Sequence, residues 1–210
     1  MLNFAIETAR DAGRILLERY GRTHTVTKKG DINLVTEADL ASEALIIERI
    51  RSHFPKHSIL AEESGSAVID GESEWKWIID PLDGTTNFAH GYPCFAVTLA
   101  CEHKGELVVG VTHDPTRNET FAAERGKGAT LNNKPICVSG TDQLGDSLIV
   151  TGFPYDFKTR ENFSRHLTTF LLKSRGVRRD GSAARLVARR RVGGRAVRDA
   201  PSLQIGRAHV

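Results

Sequence analysis

Cysteine is scarce in this chain: Cys94, Cys101 and Cys137 are three among 210 residues. Three thiols cannot all pair within one chain, and none stands in a CxxC arrangement, so neither a disulfide framework nor a zinc site is suggested. We read all three as small buried apolar side chains in a reducing compartment. Long apolar runs are missing as well, and none approaches the roughly 18 residues that a membrane-spanning helix requires. The N-terminal stretch MLNFAIETARDAGRILLERYG lacks the basic flank, unbroken apolar run and small-residue cleavage site of a signal peptide. These absences predict a cytoplasmic protein without a membrane partner. No internal repeat is evident.

Basic charge is also missing from most of the chain, despite a formal net charge of +3. From Gly181 onward seven arginines face the single Asp199, which leaves residues 1–180 with a net charge of −3. A mildly acidic body argues against a nucleic-acid-binding surface on the folded part.

What is present reads as an ordinary globular protein, with 40% hydrophobic and 26% charged residues. The length suits one domain, or two small ones sharing a core. Phe4, Ala5, Ala9, Ala12, Ile15, Leu16 and Tyr20 recur at spacings of three and four, predicting an amphipathic helix over 2–20 that stops at Gly21. Thr36 followed by Asp39 resembles a capping box. The helix it opens would bury Leu40, Ala44, Leu45, Ile46, Ile50 and Phe54 and close at Pro55. Between the helices, TVTKKGDINLV alternates like a hairpin turning at Gly30-Asp31.

Strands are predicted at 58–61, 75–79, 95–102, 106–113, 119–123, 129–131 and 147–152, with a helix over 160–172. Turn chemistry separates the members of the central run at Lys104-Gly105, Asp114-Pro115, Gly126-Lys127-Gly128 and Asn132-Asn133. Helices followed by a run of strands predict an α+β fold, with helices layered on a largely antiparallel sheet. Trp75 and Trp77 stand two apart on their strand, and we expect one to enter the core while the other covers an edge. His90 and His113 read as surface or hydrogen-bonded structural groups, and GFPYD at 152–156 as a turn after a strand.

One stretch does not fit a purely structural reading. In WIIDPLDGTTNF, residues 77–88, an apolar strand runs straight into two carboxylates, Asp80 and Asp83. Another short strand, Ser58–Ala61, runs into Glu62-Glu63. If the two strands are neighbours, three acids meet at their ends and need a positive partner. Hard oxygen ligands in that number suit Mg2+. Pro81 would fix a bend after Asp80, and Gly84 would permit a backbone conformation that other residues resist. The Leu82 carbonyl and the Asp83 side chain would then turn toward one point. Thr85-Thr86 would offer hydroxyls and amides to a phosphate. Taken singly, an Asp-Pro pair is turn chemistry, Glu62-Glu63 a solvated loop and Asp39 a helix cap; their joint occurrence points to a site.

These residues resemble the inositol monophosphatase family. WIIDPLDGTTNF matches its signature Trp-x-x-Asp-Pro-Leu/Ile-Asp-Gly-Thr-x-Asn-Phe. ILAEES at 59–64, LVTEAD at 34–39 and VRRDGSAA at 177–184 are similar to its other motifs, in the family's order. The resemblance implies a layered sugar-phosphatase fold and hydrolysis of inositol monophosphate with two or three Mg2+ ions. Glu62, Asp80 and the Leu82 carbonyl would hold a first ion, and Asp80 and Asp83 a second. A water positioned by Glu62 and Thr85, with Asp39 behind Thr85, would attack phosphorus directly, without a phosphoenzyme. The amides of Gly84 and Thr85 would hold the phosphate, and Gly181, Ser182 and Ala183 would line the substrate. Lithium sensitivity and a homodimer are further implications. Fructose-1,6-bisphosphate, histidinol phosphate or a 3'(2')-phosphonucleotide are alternative substrates. A non-catalytic regulatory module that binds a partner, such as the transcription machinery, is the alternative from another class.

After Ala184 the text changes character. Residues 185–210 are dominated by Arg, Ala, Gly and Val, as GC-rich DNA read out of frame would be, and QIGRAHV matches a translated sequencing adapter. We expect residues 1–184 to be the N-terminal portion of the family's domain and 185–210 a frameshifted tail. The family's later substrate-contacting glutamate and the Trp-Asp that completes the second metal site are not found there, so the chain as written is expected to be poorly stable and weakly active.

Overall fold

The computed structural model describes residues 1–22, 26–29, 33–64, 73–152 and 157–179. Two compact units divide the chain after Ile136.

The first unit opens with α1 (Leu2–Arg19), whose residues Ala5, Ala9, Ala12 and Leu16 are buried along one face. Three alanines on that face let the helix lie close against its neighbours. Gly21, at φ +75°, ends it where the periodicity breaks. Strands β1 (Val26–Lys29) and β2 (Asn33–Thr36) pair antiparallel as the alternation predicted, while the turn between them, at 30–32, lies outside the described residues. Helix α2 (Glu37–His53) begins with the expected capping box: Thr36 and Asp39 exchange side-chain and backbone hydrogen bonds.

The apolar face of α2 differs from expectation at Leu40 and at Ala44, both of which are exposed. Leu40 is 54% exposed, while Asp39, Ser42 and Glu43 are buried. The helix turns a polar N-terminal half and an apolar C-terminal half, with Ile46 and Ile50, toward the sheet. Apolar spacing misjudged this face because its polar residues find partners inside.

The sheet has seven strands in sequence order: β3 (Ser58–Ala61), β4 (Trp75–Asp83), β5 (Ala96–His103), β6 (Glu106–Asp114), β7 (Glu119–Glu124), β8 (Gly128–Leu131) and β9 (Lys134–Ile136). β3 and β4 are parallel and every other pair is antiparallel. Helices α1 and α2 lie against it, so the α+β arrangement of helices on a largely antiparallel sheet is what the chain adopts. Trp77 is fully buried against Phe4 and Phe54. Trp75 stacks between His57 and His103 with ring centroids 5.4 and 4.0 Å away; two residues from Trp77 and so on the same face, on a strand flanked by β3 and β5, it does not take the edge role expected for one of the two. Cys94 and Cys101 are buried, but Cys137 is exposed. It lies just past the end of β9, at the start of the second unit.

Five residues, Thr85–Ala89, form α3 after β4; Gly84 precedes them at φ +99°, the left-handed conformation foreseen for it. In the second unit β10 (Leu148–Thr151) pairs parallel with β11 (Gly176–Arg179), joined through α4 (Phe157–Lys173). The GFPYD turn falls mostly on residues 153–156, outside the described residues, as do Gly181, Ser182 and Ala183.

Candidate active site

Parallel pairing of β3 with β4 sets Ala61 beside Ile79, so Glu62 emerges next to Asp80 at the same sheet end. The next step was not legible from the spacing. In a regular strand, residues 80 and 83 differ by an odd number and face opposite sides of the sheet. Here Asp80 pairs with Thr98 and Asp83 with Ala96, so three steps along β4 match two along β5. A β-bulge absorbs the extra residue. Because Thr98 and Ala96 share a face, the bulge brings Asp80 and Asp83 to the same side. β4 thus continues through Asp83 instead of ending at Asp80, and Pro81 sits within the bulge, a position where the missing N–H is tolerated.

Asp80 is the electrostatic centre. Its Oδ1 is buried and has no hydrogen-bond partner among the described residues. The deep placement of its carboxyl pushes the pKa well above the usual carboxylate range. The charges of Asp83 and Glu62 and a hydrogen bond with the Glu62 side chain push the same way, against the Leu82 N–H. Among the described residues no lysine or arginine forms an ion pair with Asp80.

Glu62, Asp80, Asp83 and the Leu82 carbonyl would offer hard oxygens, and one buried oxygen of Asp80 is unpartnered; both features fit Mg2+. Among the described residues, no three His, Cys, Asp or Glu side chains close into a ready ligand cluster. The oxygens share a region without converging on one point.

Around them stands a polar frame. Thr85 Oγ1 lies 3.1 Å from Asp39 Oδ1 and 3.0 Å from the Leu82 carbonyl oxygen, two acceptors for its single proton. Asp39 also receives the Thr36 backbone N–H at 2.8 Å and the Thr36 hydroxyl at 2.6 Å. Burial raises its pKa, while the bonds from Thr36 and Thr85 lower it. Asp39 is therefore both a cap and a partner of Thr85, the two roles that the sequence left open.

Two members of this frame escaped sequence reading. Ser42 donates its hydroxyl to the Pro81 carbonyl at 2.8 Å. Glu43, 3% exposed, accepts the Glu63 N–H at 2.9 Å and the Ser64 hydroxyl. The available signal was their position three and four residues after Asp39, which puts all three on one helix face. His113 is buried on β6, as a structural histidine would be, and His90 is exposed.

A profile of the inositol monophosphatase family matches residues 1–191. The Pseudomonas aeruginosa protein named Nus factor SuhB is 42% identical over 190 residues, covering 88% of this chain and 70% of its own. A Synechocystis protein named inositol-1-monophosphatase is 44% identical over 185 residues, covering 87% of this chain and 64% of its own. The crystal structure of extragenic suppressor protein suhB from Bartonella henselae superimposes with a TM-score of 0.85 at 38% identity, covering 91% of this chain and 74% of that one. No helix among the described residues is long and apolar enough to cross a membrane.

Proposed function

Because the chain belongs to the inositol monophosphatase family, we propose that it is a Mg2+-dependent phosphomonoesterase whose substrate is an inositol monophosphate. The observation that carries the reading is the bulge in β4, which gathers Asp80 and Asp83 on one face beside Glu62 and leaves the Asp80 Oδ1 unpartnered. Glu62, Asp80, Asp83 and the Leu82 carbonyl would hold two or three Mg2+ ions. Mg2+ held there would make a water nucleophilic near neutral pH and would offset charge on the phosphoryl oxygens.

The chain's own residues do the rest. Thr85, donating its proton to Asp39, keeps its oxygen lone pairs for an attacking water, and Glu62 accepts a proton from that water. The backbone amides of Gly84 and Thr85 bind the phosphate oxygens. Gly84 suits this task because the left-handed turn exposes backbone that a side chain would otherwise cover. Glu62 is exposed and Asp83 and Thr85 half-buried, so a small phosphorylated polyol can reach them from solvent. Gly181, Ser182 and Ala183 are proposed to line the substrate. Residues 1–184 are proposed as the catalytic portion.

The decisive experiment measures phosphate release from inositol monophosphate, fructose-1,6-bisphosphate, histidinol phosphate and a 3'(2')-phosphonucleotide, with and without Mg2+. Turnover is expected to need Mg2+, to favour the inositol ester, to fall with lithium and to vanish in Asp80→Asn. A second reading, a regulatory binding module, is favoured by relatives named Nus factor. Release of no phosphate from any ester at saturating Mg2+, by a protein that melts cooperatively, would replace the first reading with the second.

A further inference from the structure

Three polar residues on one face of α2 each hold a different part of the candidate site. Asp39 receives Thr85 at the start of α3, Ser42 donates to the Pro81 carbonyl inside the β4 bulge, and Glu43 receives the turn that follows β3. Glu43 is the unusual member. A carboxylate buried to 97% is costly unless its oxygens are satisfied, and both of its oxygens are. Its donors, the Glu63 backbone N–H and the Ser64 hydroxyl, belong to the two residues that directly follow Glu62, whose side chain meets Asp80. The bonds span 20 and 21 residues of sequence, so they tie a helix to a turn and are not local turn chemistry.

We infer that Glu43 is a positioning residue: it clamps the Glu63-Ser64 backbone so that the Glu62 side chain is presented to Asp80 and to a divalent cation. The inference rests on the metal-dependent reading above. Partners that orient ligands in this way typically carry ten- to a hundredfold in metal affinity. The chemistry also predicts which substitution is tolerated. A glutamine at position 43 can accept the Glu63 N–H through its amide oxygen and donate its amide N–H to Ser64 Oγ, whose hydroxyl accepts as readily as it donates. Alanine can do neither.

The test compares the full-length chain with Glu43→Ala, Glu43→Gln and Ser64→Ala in two measurements. Hydrogen exchange of the metal-free protein reads the Glu63 amide, and direct titration with Mn2+ alone reads cation affinity. In Glu43→Ala the Glu63 amide should exchange at least about tenfold faster, and Mn2+ should bind roughly ten- to a hundredfold more weakly. Glu43→Gln should stay near wild type, and Ser64→Ala should fall between. A merely structural role would lower the melting temperature without moving the Mn2+ affinity of the folded protein, and that result overturns the inference. So does wild-type exchange at Glu63 in Glu43→Ala. If Glu43→Ala does not fold, Ser64→Ala decides, because Ser64 is exposed and its loss removes one half of the clamp. A wild-type chain that binds no Mn2+ overturns the reading beneath the inference, and the exchange result then separates that failure from a failure of the clamp.

Discussion

Asp39 Oδ1 and Thr85 Oγ1 lie 3.1 Å apart, although 46 residues of chain separate them. Asp39 is held by Thr36 on one side, so its second oxygen is free to take the threonine proton. The Leu82 carbonyl competes for that proton. Removing Asp39 as acceptor should therefore redirect the hydroxyl, while removing the hydroxyl should leave the frame standing.

Thr85→Ala is expected to lower kcat by roughly 10²–10⁴ while shifting KM little, because the hydroxyl serves the attacking water and not the phosphate. Asp39→Asn should lose activity as well, and about 1 kcal/mol of stability, because it weakens the cap of α2. The two changes should be strongly non-additive in the double variant, since they interrupt one chain of hydrogen bonds. Steady-state kinetics and urea melts of the three proteins check this; full additivity in kcat would separate the two residues.

Acid should weaken the fold through His113. Burial pushes this imidazole from 6.5 down to about 4, with Arg10 adding to the effect, and the Glu119 backbone and Asp114 opposing it. Its Nδ1 lies 3.0 Å from Thr120 Oγ1, to which Arg10 also donates. An unfolded chain takes up the proton near pH 6.5, whereas the folded protein resists until about 4. The unfolded state therefore binds more protons in that window. The contribution is fully present above 6.5 and is lost as pH falls to about 4, amounting to roughly 3 kcal/mol. Urea midpoints of wild type should drop across this range more steeply than those of His113→Asn; parallel curves would rule out His113 as the source.

Gly13 of α1 faces the same imidazole. A Cβ built there would stand 2.6 Å from His113 Cδ2 and 3.2 Å from Pro115 Cβ. In an open helix, glycine to alanine gains up to about 1 kcal/mol. Here the histidine is buried and bonded, so it yields poorly, and overpacking of this kind costs about 1–3 kcal/mol. Gly13→Ala should thus melt at a lower temperature than wild type. A rise in Tm would mean that the imidazole can move aside.

Much of this molecule was readable before any coordinate. The N-terminal helix and its stop at Gly21, the capping box at Thr36, and the order of the strands all follow from local chemistry: apolar period, caps and turn residues act over a few positions. The exposure of Leu40 and of Cys137 was not readable, because each depends on whether another element happens to cover it. Ser42 and Glu43 were missed for the same reason. Their meaning lies in partners 39, 20 and 21 residues away.

The sequence by itself determined which chemistry the chain carries: acids at the ends of two apolar strands, a glycine able to turn left-handed, and a threonine after it. Only the tertiary structure decided that Asp80 and Asp83 lie on one side of the sheet. At an odd spacing, a regular strand would have parted them to opposite faces, and it is the extra residue in β4, measured against β5, that returns both to one side. That pairing is a relation between two strands, so no reading of one strand alone contains it.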